Sequence, residues 1–153
     1  MEYLVIDGYN VINAWRDIFD LRREPLEDSR EKLLTMLSNY QGFKKVNIIV
    51  VFDAHLVKGS QEKNFFYDSI TVVFTKENIT ADNYIERFVH EMGNTHVIRV
   101  VTSDYLEQTI ILSNGGIRVS PRELREEIFQ TNKNMDSHHT TAKAERNTIM
   151  SRM

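Results

Sequence analysis

Short apolar runs alternate along the chain with segments in which apolar residues recur every three or four positions. The runs are rich in β-branched and aromatic residues and predict strands at 3–7, 46–53, 70–74, 96–102 and 117–119. The helical spacing predicts helices at 27–40, from Thr80 to Gly93, at 105–112 and from Ser120 onward. This alternation predicts a three-layer α/β domain, in which a central and mainly parallel sheet is flanked by helices.

The segments between these elements have weaker patterns. Asp7 and Gly8 predict a turn after the first strand, and residues 54–68 predict a loop with room for a short strand at 65–67. We interpret residues 1–132 as one domain and residues 133–153 as a polar, mildly basic tail or a terminal helix that begins at Thr141.

Four aspartates stand where a predicted strand ends or a predicted helix begins. Asp7, Asp53 and Asp104 follow strands, and Asp82 lies in the first turn of the helix after Thr80. The carboxyl ends of parallel strands open on one edge of a sheet, where ligands bind. If the first strand is central, Asp7 and Asp104 end on neighbouring strands and lie close enough to share a cation.

Crowded carboxylates repel one another unless a divalent cation neutralises them, so this placement predicts a metal-dependent active site. Mg²⁺ suits few carboxylates and several waters, and Mn²⁺ accepts the same oxygen ligands. Each aspartate also has a purely structural interpretation, in a turn, a loop or a helix start. Their joint placement favours the metal site. Glu86 and Glu107 are weaker candidates, and an exposed polar position is the simpler interpretation of Glu86.

Candidates for contact with a substrate follow Asp7 in the chain. They are Asn10, Asn13 and Arg16. An amide can orient a carboxylate or hold a phosphate oxygen without adding negative charge. Arg16 is also the first of several bases that predict a weak basic rim. His55 could donate to a phosphate, but a structural role in its loop is the simpler interpretation.

Composition narrows the class of protein. The chain has 153 residues, of which 41% are hydrophobic and 27% are charged, as in an ordinary globular domain. It has no cysteine, which excludes disulfides and thiolate zinc sites and fits a reducing compartment. No apolar run reaches the roughly 20 residues of a membrane span, and no signal peptide is evident, so we expect a cytoplasmic protein without a membrane partner.

The net charge of −3 argues at first against a nucleic-acid partner. That total is misleading if the acids are concentrated in a metal site and the bases line the surface around it.

Four segments in one order resemble the NYN domains of the PIN-like nuclease superfamily, and most closely the YacP-type bacterial branch. They are Val-Ile-Asp-Gly-Tyr-Asn-Val-Ile at 5–12, Val-Val-Phe-Asp-Ala-His at 50–55, Thr-Ala-Asp-Asn-Tyr-Ile-Glu at 80–86 and Val-Thr-Ser-Asp at 101–104. The resemblance extends from Tyr3 to the helix after Pro121 and leaves the tail uncovered.

The resemblance implies a PIN-like fold and a Mg²⁺- or Mn²⁺-dependent endoribonuclease that cleaves single-stranded RNA. It implies metal ligation by Asp7, Asp82 and Asp104, with Asp53 and Asn10 as further site residues. It also implies messenger RNA and the ribosome as partners, and we expect no DNA substrate.

Two other functions remain open at this point. One is an RNA- or ribosome-binding module with no nuclease activity. The other is a small-molecule phosphohydrolase that uses the same metal. The aspartyl-phosphate form of that enzyme needs an Asp-x-Asp pair after the first strand, and here Tyr9 replaces the second acid.

Overall fold

The computed structural model describes residues 1–133, and for residues 105 and 106 it describes the backbone alone. The terminal helix predicted at Thr141, and the predicted tail beyond its first residue, lie outside the described residues.

The described chain forms one six-stranded sheet with the strand order β3-β4-β2-β1-β5-β6. Neighbouring strands are parallel, except that β3 pairs with β4 in the antiparallel direction. The strands are β1 (Glu2–Asp7), β2 (Asn47–Phe52), β3 (Lys63–Tyr67), β4 (Ile70–Phe74), β5 (Val97–Val101) and β6 (Ile117–Val119). The helices are α1 (Gly8–Ala14), α2 (Leu26–Lys44), α3 (Ala81–Met92), α4 (Tyr105–Ser113) and α5 over 121–133.

The predicted α/β class with a central, mainly parallel sheet is confirmed. One face of the sheet packs on a core that contains residues of α1, α2 and α5, and the other face packs on α3 and α4. Strand β1 shows the alternation, because Leu4 and Ile6 belong to the first core and Val5 to the second. All three side chains are fully buried, as expected of a central strand covered on both faces.

Two elements differ from the sequence-based prediction. The turn predicted at Asp7 and Gly8 is instead the start of helix α1, for which Asp7 is the N-cap. The strand predicted at 65–67 begins earlier, as β3, and lies at the edge of the sheet. Most of its side chains are exposed, so the sequence lacks the apolar pattern of a buried strand.

The passage from β1 into α1 depends on the small size of Gly8. A Cβ atom at this position would lie 2.3 Å from Cε1 of Phe52, and the Phe52 ring is fully buried. Glycine therefore lets α1 begin directly after β1, close against the Phe52 ring at the end of β2.

Among the described residues, no helix combines the length and the apolar character that crossing a membrane requires.

Candidate metal centre

Three carboxylates converge at the carboxyl edge of the sheet. Asp7 ends β1, Asp82 lies in the first turn of α3, and Glu107 lies in the first turn of α4. Each offers an oxygen atom, and these ligand atoms all lie within 4.8 Å of one another. The strand order explains the meeting, because β1 is central and pairs with β2 on one side and β5 on the other.

Asp7 is largely buried, with 9% of its surface exposed. Its Oδ1 accepts a hydrogen bond of 3.4 Å from the backbone N–H of Asn10. Burial and the neighbouring charge of Asp82 raise the pKa of Asp7 from 3.8 to about 7. In the absence of a cation, this site therefore favours a proton on Asp7.

Glu107 is buried more deeply, with 2% exposed. Its Oε2 accepts a hydrogen bond of 3.0 Å from Oγ1 of Thr102. Its Oε1 is buried and has no hydrogen-bond partner within the described part of the chain. Burial, followed by the charge of Asp82, raises the pKa of Glu107 from 4.5 to about 8. A buried oxygen without a partner beside two other carboxylates fits a bound cation.

Asp104 does not belong to this group of three. Its backbone N–H donates to Oγ1 of Thr102 at 3.0 Å, and its Oδ1 accepts from the backbone N–H of Glu107 at 3.3 Å. The Asp104 carboxylate therefore holds the first turn of α4. The pKa of Glu86 is raised by burial and then by the nearby charges of Asp82 and Asp104. Asp104 and Glu86 thus lie at the rim of the centre, and metal ligation by Asp104 stays a prediction.

Asp53 is bonded to the segments that flank the centre. Its Oδ1 accepts from the backbone N–H of His55 at 2.9 Å and also contacts the His55 ring, and its Oδ2 accepts from the backbone N–H of Ala81 at 3.0 Å. Burial alone would raise the pKa of Asp53, but these hydrogen bonds outweigh it and lower the pKa. Because Ala81 begins α3, Asp53 positions the helix that carries Asp82.

Asn10 is bonded to Ser103 at both ends of its amide group. Its Nδ2 donates to Oγ of Ser103 at 2.9 Å, and its Oδ1 accepts from the backbone N–H of Ser103 at 2.9 Å. The pair joins α1 to the segment between β5 and α4. The other two predicted substrate contacts, Asn13 and Arg16, are exposed in α1 and just after it. Contact of all three with a substrate stays a prediction.

A family model for the YacP-like NYN domain matches residues 4–153. The chain belongs to this family. The predicted family is thereby confirmed, and membership of the YacP-like NYN domains indicates a nuclease-type function related to RNA.

Individual relatives agree with this assignment. The chain is 43% identical over 129 residues to the protein YacP of Bacillus subtilis, an alignment that covers 84% of this chain and 75% of that protein. It also resembles two crystal structures of Rae1 (YacP) from Bacillus subtilis. The first, of a single-substitution mutant, has a TM-score of 0.81, 36% identity and coverage of 95% of this chain and 86% of the other. The second has a TM-score of 0.78, 38% identity and coverage of 97% and 85%.

In this YacP-like NYN domain, the three carboxylates that converge differ from the predicted set of metal ligands at one position. The prediction combined Asp7 and Asp82 with Asp104, whereas the geometry combines them with Glu107. The sequence makes Glu107 a weaker candidate than Asp104, and the hydrogen bonds of Thr102 and Ser103 follow only from the structure. The available signal was the spacing, since Glu107 lies three residues after Asp104 and therefore near it on the first turn of a helix.

The three carboxylates are suited to a divalent cation. They supply only oxygen atoms, which are the ligands of Mg²⁺, Mn²⁺ and Ca²⁺. Burial, and then repulsion from the charge of Asp82, raise the pKa values of Asp7 and Glu107, so both acids are costly to ionise when no cation is bound. A cation would remove that repulsion and satisfy the free oxygen of Glu107.

Proposed function

We propose that the protein is a metal-dependent endoribonuclease that cleaves single-stranded RNA. Asp7, Asp82 and Glu107 would hold Mg²⁺ or Mn²⁺. The observation that carries this proposal is the group of three carboxylates with ligand atoms within 4.8 Å, one of which has a buried oxygen without a partner in the described chain. Membership of the YacP-like NYN family supports the choice of RNA as the substrate.

The metal would lower the pKa of a bound water and neutralise charge on the phosphate. Hydrolysis forms a bond between a water oxygen and phosphorus, breaks one ester P–O bond and releases a proton. The rim carboxylates Asp104 and Glu86 would accept that proton, and their position near Asp82 and Glu107 supports this role. Asp53 and the Asn10–Ser103 pair keep the acid-bearing segments in register.

We extend the proposal to messenger RNA on the ribosome as the physiological substrate, in the cytoplasm and without a DNA substrate. The resemblance to the YacP-type branch supports this extension. Sedimentation of the protein in a sucrose gradient tests this extension. A protein that acts on translated RNA should sediment together with ribosomes that carry messenger RNA, and should not sediment with ribosomes from which the messenger RNA has been removed.

The central experiment measures cleavage of an end-labelled single-stranded RNA with Mg²⁺, with Mn²⁺ and with EDTA. We expect cleavage by the wild type that EDTA abolishes, and a loss of at least about a hundredfold in Asp7→Asn and Glu107→Gln. The matched control is Glu31→Gln, which changes an exposed acid on α2 and should retain activity. Wild-type activity in Asp7→Asn would overturn the metal centre. RNA binding that resists EDTA, without cleavage under any divalent cation, would indicate a binding module instead.

A further inference from the structure

A groove of about 560 Å³ runs along α3, beside the face of the helix that is buried in the core. One wall is formed by α3 itself, and the other by the segments before β3 and after β4. Its lining includes Gln61, Lys76, Asn83, Tyr84, Arg87 and Phe88. The volume lies within the range of sites that hold small organic ligands.

Two aromatic rings give the groove an apolar floor. Tyr84 and Phe88 are half-buried and lie one helical turn apart, on the same side of α3. Phe88 is held by Tyr3 of β1, with ring centroids 5.5 Å apart in an edge-to-face arrangement. Aromatic side chains fixed in this way form a stacking surface for flat heteroaromatic groups.

The charges around the rings are balanced. Lys76 and Arg87 line the groove together with Glu62 and Glu91. Arg87 also pairs with Glu91 at 3.2 Å. The two carboxylates would repel a phosphate in the groove, whereas they would not repel a neutral base. The chemistry therefore fits a nucleobase better than the phosphate backbone.

Both walls of the groove are attached to the candidate metal centre. On the α3 side, Asn83 follows Asp82 in the first turn of the helix. On the opposite side, the segment after β4 is bonded to the loop after Asp53. There the backbone N–H of Asn78 donates to the carbonyl oxygen of His55 at 3.0 Å, and that of Glu77 donates to the carbonyl oxygen of Ser60 at 3.1 Å. The end of the groove that Asn83 lines therefore lies toward the same edge of the sheet as the acids.

We propose that this groove is a base-binding subsite for the RNA strand. A nucleobase near the scissile phosphodiester stacks on Tyr84 and Phe88, while the phosphates stay outside the groove. This inference rests on the proposed function for the identity of the strand. It goes further in naming the contact that holds the strand in place beside the acids.

The test measures binding of a single-stranded oligoribonucleotide that contains the fluorescent base 2-aminopurine, in the non-cleaving Asp7→Asn background. Tyr84→Leu keeps an apolar side chain but removes the stacking face, and should weaken binding by ~tenfold or more. Tyr84→Phe keeps the ring and should bind as the parent does. Phe129→Leu, at an exposed aromatic residue on the opposite face of the sheet, is the matched control and should change nothing.

Thermal melting of each variant shows whether the fold is intact, and photocrosslinking of the unsubstituted protein to RNA that contains 4-thiouridine gives a readout independent of mutation. Crosslinks should map to the peptide that contains Tyr84 and Phe88. Equal binding by Tyr84→Leu and its parent, no binding of the oligonucleotide, or crosslinks only elsewhere would overturn the subsite. If the wild type has no nuclease activity but RNA binding still depends on Tyr84, that result would support the subsite and contradict the proposed cleavage.

Discussion

Replacing Asp7 with asparagine should stabilise the metal-free protein at alkaline pH while abolishing its metal-dependent activity. Asp7 is almost fully buried beside Asp82, and its pKa is about 7 instead of 3.8. Asparagine has nearly the same shape, and its side-chain oxygen can still accept the hydrogen bond from Asn10 that caps α1. The substitution therefore removes a buried charge and leaves the local structure intact.

The magnitude follows from the pKa. Between 3.8 and about 7, the unfolded chain has lost the Asp7 proton while the folded chain keeps it. The folded state binds more protons in this range, so its stability falls as the pH rises, and the loss is complete above about pH 7. Each pKa unit corresponds to ~1.4 kcal/mol, which sets an upper bound of ~4 kcal/mol on the cost of this charge. Glu107, with a pKa of about 8, adds a loss of the same sign. The two costs are not additive, because both acids interact with Asp82.

The assay is urea unfolding in EDTA at about pH 5 and about pH 8.5, followed by circular dichroism. The wild type should be less stable at the higher pH. Asp7→Asn should be ~1–4 kcal/mol more stable than the wild type at the higher pH, and should lose most of that advantage at the lower pH. Added Mg²⁺ should stabilise the wild type at the higher pH through binding to the folded state, and should stabilise the variant much less.

Asp28→Asn is the matched control, because Asp28 is exposed in the first turn of α2. There the negative charge favours the helix, so its loss should destabilise by at most ~1 kcal/mol. The reasoning is refuted if Asp7→Asn is no more stable than the wild type in EDTA at the higher pH, or if the stability of the wild type does not fall between the two pH values.

Three further predictions concern residues that position the centre. Thr102→Val removes a fully buried hydroxyl that donates to Glu107 and accepts from the backbone N–H of Asp104. The substitution should lower the free energy of unfolding in urea by ~1–3 kcal/mol and should also lower the cleavage rate. An unchanged free energy of unfolding would contradict this prediction. Gly8→Ala should destabilise the protein by ~1–3 kcal/mol, because the added Cβ would lie 2.3 Å from a buried ring. Gly42→Ala should stabilise it by ~0.5–1 kcal/mol, because Gly42 lies within α2 and the added Cβ would meet no other part of the protein within 4 Å. Alanine substitutions at Asn10 and Ser103, singly and together, should show a coupling of ~0.5–1.5 kcal/mol in the free energy of unfolding. Each substitution should lower kcat more than it raises KM. Additive effects on the free energy of unfolding would show that the two residues do not act together.

The inner strands of the sheet could be predicted because burial on both faces selects continuous β-branched runs. The predicted bounds at 70–74 and 117–119 match β4 and β6. Strand β1 is central, which is the condition on which Asp7 and Asp104 end on neighbouring strands. Helix α1 could not be predicted, because Asp7 followed by Gly8 is also a turn signal. The helix can begin at Gly8 because a residue without a Cβ fits against the Phe52 ring, and the position of that ring is set only in the folded sheet.

The candidate site was predictable to the extent that it depends on strand order. Asp7 and Asp82 meet as expected, because one ends the central strand and the other begins a helix at the same edge. The inward direction of Glu107 depends on how α4 is rotated. The sequence of α4, Tyr-Leu-Glu-Gln-Thr-Ile-Ile-Leu-Ser, is apolar on more than one side, so its periodicity does not define a single buried face.

The four strand-end and helix-start aspartates have two different structural relations to the centre. Asp7 and Asp82 present oxygens to it, whereas Asp53 and Asp104 accept hydrogen bonds from backbone N–H groups in the first turns of α3 and α4. Helix α3 carries Asp82, and its start is held by Asp53. Helix α4 carries Glu107, and its first turn is held by Asp104. Because a helix N-terminus stabilises a nearby carboxylate, the same arrangement reduces the repulsion that the crowded acids create. Substitution of a holding acid should therefore displace a ligand, whereas substitution of a presenting acid removes one.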